Sequence, residues 1–227
     1  MIQQKINEVI EELRAVVFTG RSGIIDSIIP PIAFVFVNAV SGVDAAIIAS
    51  FAIALVISMY RLARRQPLTF ALGGIGGVIV AAALAKFLGK AEAYFLPGLV
   101  TGGVTIVLCV ASLIARKPMV AWTSHFARGW PRDWYWHPQV RPAYNEVTIA
   151  WTIFFIVRLV LEFELIIIEQ PTLVAIFNIL TGWPALIVLL IASYLYGVWR
   201  LQRLKGPSVE EFKRGDPSPW ASQERGF

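Results

Sequence analysis

Cysteine is almost missing from this chain. Cys109 stands alone, so no disulfide can close within it and cysteine use says nothing about redox compartment. Histidine is nearly as scarce. His125 and His137 have no cysteine nearby, and a zinc site wants three or four ligands at regular spacing, so no metal and no cofactor is expected. Paired carboxylates, Ser-His-Asp or Cys-His sets and phosphate-binding loops are also absent, so no catalytic residue is assigned and the chain is read as non-enzymatic. Charge is the third shortage. Charged residues make up 15% of the chain, against about 25% in soluble domains.

What is there instead is apolar: 57% hydrophobic residues and a mean hydropathy of +0.66. That balance excludes an ordinary soluble domain and points to a polytopic membrane protein, with the lipid bilayer as its first partner. The net charge of +5 and pI near 9.6 would suggest nucleic acid for a soluble protein. In a membrane chain the basic residues collect on cytoplasmic loops, so no nucleic-acid partner is expected.

The expected fold is all-α. Residues 1–22 carry Ile2, Ile6, Val9, Ile10 and Leu13 at helical spacing, with Lys5, Glu8, Glu11 and Glu12 mostly elsewhere, which predicts an amphipathic cytoplasmic helix. Three glutamates rule out the uncharged core of a secretory signal. A six-helix transmembrane domain is predicted over 23–205, with spans near 24–40, 45–60, 68–88, 95–115, 150–168 and 173–199. The last is interrupted by Gly182-Trp183-Pro184. Residues 206–227 read as a polar cytoplasmic tail, either disordered or lying along a surface.

Basic residues set the orientation. Lys5, Arg14 and Arg21, then Arg61, Arg64 and Arg65, then Arg116 to Arg141, then Arg200 to Arg225 all fall on one side, and only Lys86 and Lys90 on the other. Both termini are therefore expected in the cytoplasm of a multi-pass membrane protein. Arg64-Arg65-Gln66-Pro67, Arg116-Lys117-Pro118 and Lys205-Gly206-Pro207 repeat a basic exit followed by proline. Two explanations stand: three duplicated helical hairpins, or ordinary stop-transfer residues before a helix breaker.

One stretch sets the functional question. Ala150 to Ile168 is apolar enough to cross a bilayer, yet it holds Arg158, Glu162 and Glu164. Each ionised side chain near mid-membrane costs roughly 2.5–3.5 kcal/mol on insertion scales. Arg158 and Glu162 share a helical face, whereas Glu164 faces elsewhere. Asp26, Asn38, Asp44 and Asn178 are the polar groups placed to join them. The group reads as a structural ion pair, as a proton or ion pathway, or, for Glu164, as a side chain reaching the outer surface.

Two further features stand out. The cytoplasmic loop over 116–145 combines Trp122, Trp130, Trp134 and Trp136 with Arg128, Arg132 and Arg141. Aromatic rings favour the headgroup zone and arginines attract anionic headgroups, so the loop is read as a lipid or partner surface. The Gly73, Gly77 and Ala81 face, and Gly98 with Gly102, permit close helix contact within the chain or across a homo-oligomer.

Short motifs add a resemblance. Tyr60-Arg61 with Arg64-Arg65 closing an apolar span, Arg116-Lys117-Pro118-Met119, and Ala150-Trp151-Thr152-Ile153-Phe154-Phe155 resemble the intracellular septation protein A family and related six-span inner-membrane proteins. That resemblance implies a non-enzymatic multi-pass protein of the bacterial inner membrane, tied to cell-envelope growth and division through membrane-protein partners. The charged span carries a different expectation, a small channel or an ion- or proton-coupled secondary transporter built on Arg158, Glu162 and Glu164. A water-filled cavity reaching Arg158 favours transport; a dry bundle with Arg158 fully paired favours a scaffold.

Overall fold

Among the described residues of this computed structural model every regular element is helical, as the composition demands. It describes the backbone of residues 21–64 and 68–227 and the side chains of 29–64 and 75–227. The amphipathic helix expected over 1–22 lies outside the described residues, except that Arg21 and Ser22 already belong to the first helix.

Helix α1 (Arg21–Ala63) contains Pro30 and Pro31 and breaks at Gly42, whose φ of 80° and ψ of 176° interrupt the helical path. Residues 21–41 and 43–63 each supply the about 20 residues a crossing needs. Then come α2 (Leu68–Leu88), a 3-10 turn (Ala91–Phe95), α3 (Leu96–Ile114), α4 (Met119–Arg128), α5 (Arg132–Tyr135) and α6 (Arg141–Ile167). The chain ends with α7 (Pro171–Thr181), α8 (Trp183–Leu204) and α9 (Val209–Arg214). Among the described residues, three stretches are long and apolar enough to cross a membrane: Ile29–Ala63, Ala91–Ile114 and Pro171–Leu204. Helix α6 has 27 residues and carries Arg158, Glu162 and Glu164 within its apolar run.

The expected interruption at Gly182-Trp183-Pro184 is present. Helix α7 stops at Thr181, Gly182 is non-helical, and α8 starts at Trp183. At 1.5 Å per residue α7 alone extends only about 16 Å, about half a hydrocarbon core, whereas α8 extends about 33 Å.

The chain divides into two compact units, Met1–Val100 with Leu161–Pro184, and Thr101–Val160 with Ala185–Phe227. In the first, Phe34 stacks on Tyr94 at 4.0 Å between ring centroids, and Phe95 meets both rings edge-on. Ala46, Ala81, Ala85, Val174 and Ala175 close this core. Small residues here let α1, α2 and α7 approach closely, the usual packing device in lipid. The glycine face of α2 behaves otherwise: side chains built at Gly76 and Gly77 would meet nothing within 4 Å, and it is Ala81 that is buried. The side-chain environment of Gly73 lies outside the described residues.

The second unit corrects two expectations. The 116–145 segment is not simply an interfacial loop. It folds into α4 and α5, and Trp134, Tyr135 and Tyr144 are fully buried with Val140 and Val209. Trp134 is unavailable to lipid because Trp130, Tyr135 and Tyr144 pack edge-on to its ring and its indole N–H donates to the Pro207 carbonyl at 2.8 Å. A buried Trp needs such a partner for its N–H. Trp122, Trp130, Trp136 and Arg128 are half-buried, Arg132 is exposed, and Arg141 is half-buried with its Nε enclosed.

The tail also has packed structure. Ser208 caps α9 in a reciprocal arrangement: its hydroxyl accepts from the Glu211 N–H, and its own N–H donates to the Glu211 carboxylate at 2.8 Å. Ser222, Gln223, Gly226 and Phe227 are buried beyond it. A polar composition concealed this, because the packing comes from a few apolar anchors separated by turn residues.

Glu211 is held below the ordinary carboxylate range by the N–H of Ala221 first, then by the N–H and hydroxyl of Ser208. A depressed carboxyl supports the fold above its ordinary pKa and loses that support as pH falls through its folded value. Amide protection in α9 should therefore hold near neutral pH and decline on acidification below about 4. Ser208→Ala should weaken α9 by about 1 kcal/mol, a typical cap loss. Hydrogen exchange followed by mass spectrometry reads both, and protection independent of pH would contradict the assignment.

Candidate functional site

Within the first unit the 3-10 turn, α6 and α7 converge on a buried carboxylate. Glu162 is 2% exposed although it sits on an apolar helix. Asn178, on α7, donates its side-chain N–H to Glu162 Oε1 at 2.7 Å. An uncompensated polar group in an apolar interior is costly, so this bond is the minimum requirement for keeping Glu162 inside. Gly98 makes room for it: a Cβ there would stand 3.4 Å from Glu162 Oε1, already at contact distance.

The pair opens on a cavity of about 290 Å³. Tyr94, Phe95 and Trp183 provide aromatic wall, Pro31, Ala175 and Ile179 aliphatic wall, and Gly98 and Gly182 bare backbone. Glu162 and Asn178 are its polar end. Gly182 is required by close approach, because a Cβ there would lie 2.6 Å from the Asn178 carbonyl oxygen. The helix break thus positions Asn178 and shapes the cavity wall with one residue. A mostly apolar hollow with a few convergent polar groups is the usual form of a small-ligand site, and this volume falls at the small end of that range.

Residues 18–203 match the family described as "Protein of unknown function (DUF3159)". The chain belongs to that family. Its DUF3159 region contains every residue that lines the cavity, while α9 and the docked tail lie beyond it. No curated protein and no solved structure matches the chain. None of these comparisons links a DUF3159 chain to the intracellular septation protein A family.

The polar residues singled out in the sequence fare differently. Glu162 and Asn178 are brought together. Arg158 lies one helical turn before Glu162 on α6 and is half-buried; Glu164 is exposed, as its different helical face requires. Asn38 is half-buried on α1 and is not among the cavity walls. Asp44 turns instead to Lys86, with which it forms an exposed ion pair. The side chain of Asp26 lies outside the described residues.

Sequence reasoning missed Tyr94, Phe95 and Trp183 as cavity walls, and it missed Glu92, a second buried carboxyl residue in the first unit. Trp183 alone carried a signal, since it sits in the helix break. In the second unit it missed the clamp on Glu146, which takes both Nε and Nη2 of Arg200 at 2.8 Å and the Tyr196 hydroxyl at 2.6 Å. That two-pronged pairing fastens α6 to α8.

Proposed function

We propose that this chain is a multi-pass membrane protein whose cavity at Glu162 and Asn178 binds a small solute as a step in transport. The observation that supports it is a buried carboxylate, held by an amide from the segment before a helix break, facing an apolar hollow. Interrupted helices bordering a cavity recur at transporter binding sites, and carboxylates within spans commonly mark solute or ion routes. It is Glu162, one turn on from Arg158, that the cavity reaches. The carboxylate accepts hydrogen bonds, so the solute is a small molecule with an apolar body and an N–H or O–H donor.

Six crossings with both termini in the cytoplasm complete the reading. Gly42 divides α1 into two spanning lengths, and α2, α3, α6 and the α7–α8 stretch supply the rest. Ion pairs support a common outer end, since Asp44 pairs with Lys86 and Lys90 pairs with Glu169; Asp44, Lys90 and Glu169 fall in the expected outer connections and Lys86 in the last turn of α2.

Binding is tested with benzylamine and benzyl alcohol against toluene on the detergent-purified chain. The donor-bearing probes should raise the thermal midpoint and toluene should not. A ligand at 100 times its Kd stabilises by about 2.7 kcal/mol, well within reach of a thermal scan. Gly98→Leu, which fills the space before Glu162, and Glu162→Gln should each reduce the shift. No shift with any probe, or a shift untouched by Gly98→Leu, would count against the site.

Topology is tested in a Cys109→Ala background. Single cysteines replacing Ser41 and Glu169 should react with a membrane-impermeant reagent added to intact cells, and one replacing Thr123 should not. Outside labelling at Thr123 would reverse the orientation.

A further inference from the structure

The second unit contains a seat for Phe227, beyond α9. The Phe227 ring stacks on Tyr144 with centroids 4.2 Å apart and planes within 8°. Gly197, on α8, forms the other wall: a Cβ there would lie 2.2 Å from the Phe227 ring, so only a bare backbone lets the ring enter. Arg128 donates its Nε–H to the Phe227 backbone oxygen at 3.1 Å and stands 5.0 Å over the Trp130 ring.

Gly226 fits the same geometry. Its φ of +82° is a conformation that side chains disfavour, and a Cβ on it would meet Trp130 at 2.7 Å and Arg128 at 2.9 Å. Its N–H donates to the Tyr194 hydroxyl at 3.3 Å. The seat thus selects glycine followed by an aromatic residue. The segment leading into it is mostly different in kind: Pro217, Ser218, Pro219, Ala221, Glu224 and Arg225 are exposed and no helix follows Arg214, while Ser222 and Gln223 are buried and Gln223 accepts from the Val209 N–H at 3.1 Å. A buried tip on a largely exposed strap, outside the family's matched region, has the anatomy of something that can leave without unfolding the bundle.

We infer that Gly226-Phe227 is a releasable latch, an internal ligand seated between Tyr144 and Gly197, whose departure bares Arg128, Trp130 and Tyr144 together. The vacated seat accepts a peptide with the chemistry of the latch, a glycine followed by an aromatic residue.

The test uses the full chain in neutral-lipid nanodiscs, a variant lacking Gly226 and Phe227, and a fluorescent peptide with the sequence of residues 220–227. The peptide should bind the shortened chain at least about tenfold more tightly than the intact one, the scale set by burying one aromatic side chain. Replacing the peptide's phenylalanine with alanine, or adding Gly197→Val to the shortened chain, should remove that binding. Equal affinity for intact and shortened chains, or binding that survives Gly197→Val, would overturn the latch. A concentration-dependent dimer of the intact chain that dissociates when Gly226 and Phe227 are removed would also overturn it, since the tail would then be exchanged between copies. Should the shortened chain not fold, Gly197→Val in the full chain decides. The latch predicts a folded protein newly cleaved by trypsin after Arg225, and unchanged resistance there contradicts it.

Discussion

The hydrogen bond from Asn178 to Glu162 is the constraint on which the first unit depends. A carboxyl group removed from water must have partners, and the chain meets that demand with an amide from a helix that stops one turn later. The stop needs Gly182, because any side chain there would strike the Asn178 carbonyl. The approach needs Gly98, because a larger residue would crowd the carboxylate. Aromatic residues from the 3-10 turn, stacked on Phe34 of α1, then wall the space that remains. Each of these features serves the placement of one polar group, and the cavity is what that placement leaves open.

The second unit is held differently. Its core is aromatic, with the Trp134, Tyr135 and Tyr144 rings packed edge-on, the Trp134 N–H donating to the Pro207 carbonyl and the Tyr135 hydroxyl bonded to that of Ser124. Edge-to-face rings contribute roughly 0.5–1.5 kcal/mol per pair beyond the area they bury. Helices α4 and α5 therefore pack as a compact body rather than trail as a loop, and Phe227 enters that body as one more ring. The Glu146–Arg200 clamp adds a directional tie between the long helices of the same unit.

How much of this could be read beforehand depended on the kind of signal. Composition and helical periodicity reveal elements, so the all-helical class and the break at Gly182-Trp183-Pro184 were legible. A charge in an apolar run is a strong anomaly, which is why Glu162 stood out. Asn178 was named because it was polar in a span, although spacing alone did not distinguish it from Asp44, which pairs with Lys86, or from Asn38, which is not among the cavity walls. Aromatic residues gave a false lead at Trp134. Tryptophan near arginine reads equally as an interfacial anchor or as core, and only the partner of its N–H, a carbonyl 73 residues along the chain, decides between them. The walls Tyr94 and Phe95 were invisible for the same reason: their role comes from contacts with helices far away in sequence. Tail burial was hidden because its apolar anchors, Val209 and Phe227, are few and separated by a polar stretch.

The central claim is that small solutes reach the polar end of the cavity, and aqueous access to position 178 tests it most directly. In a Cys109→Ala background, Asn178→Cys should react with a small water-soluble thiol reagent, while Val174→Cys, one turn earlier and fully buried in the same unit, should not. Adding Gly98→Leu should slow the reaction at 178. If position 178 is as inert as position 174, the hollow is sealed packing and the account of a solute site is wrong.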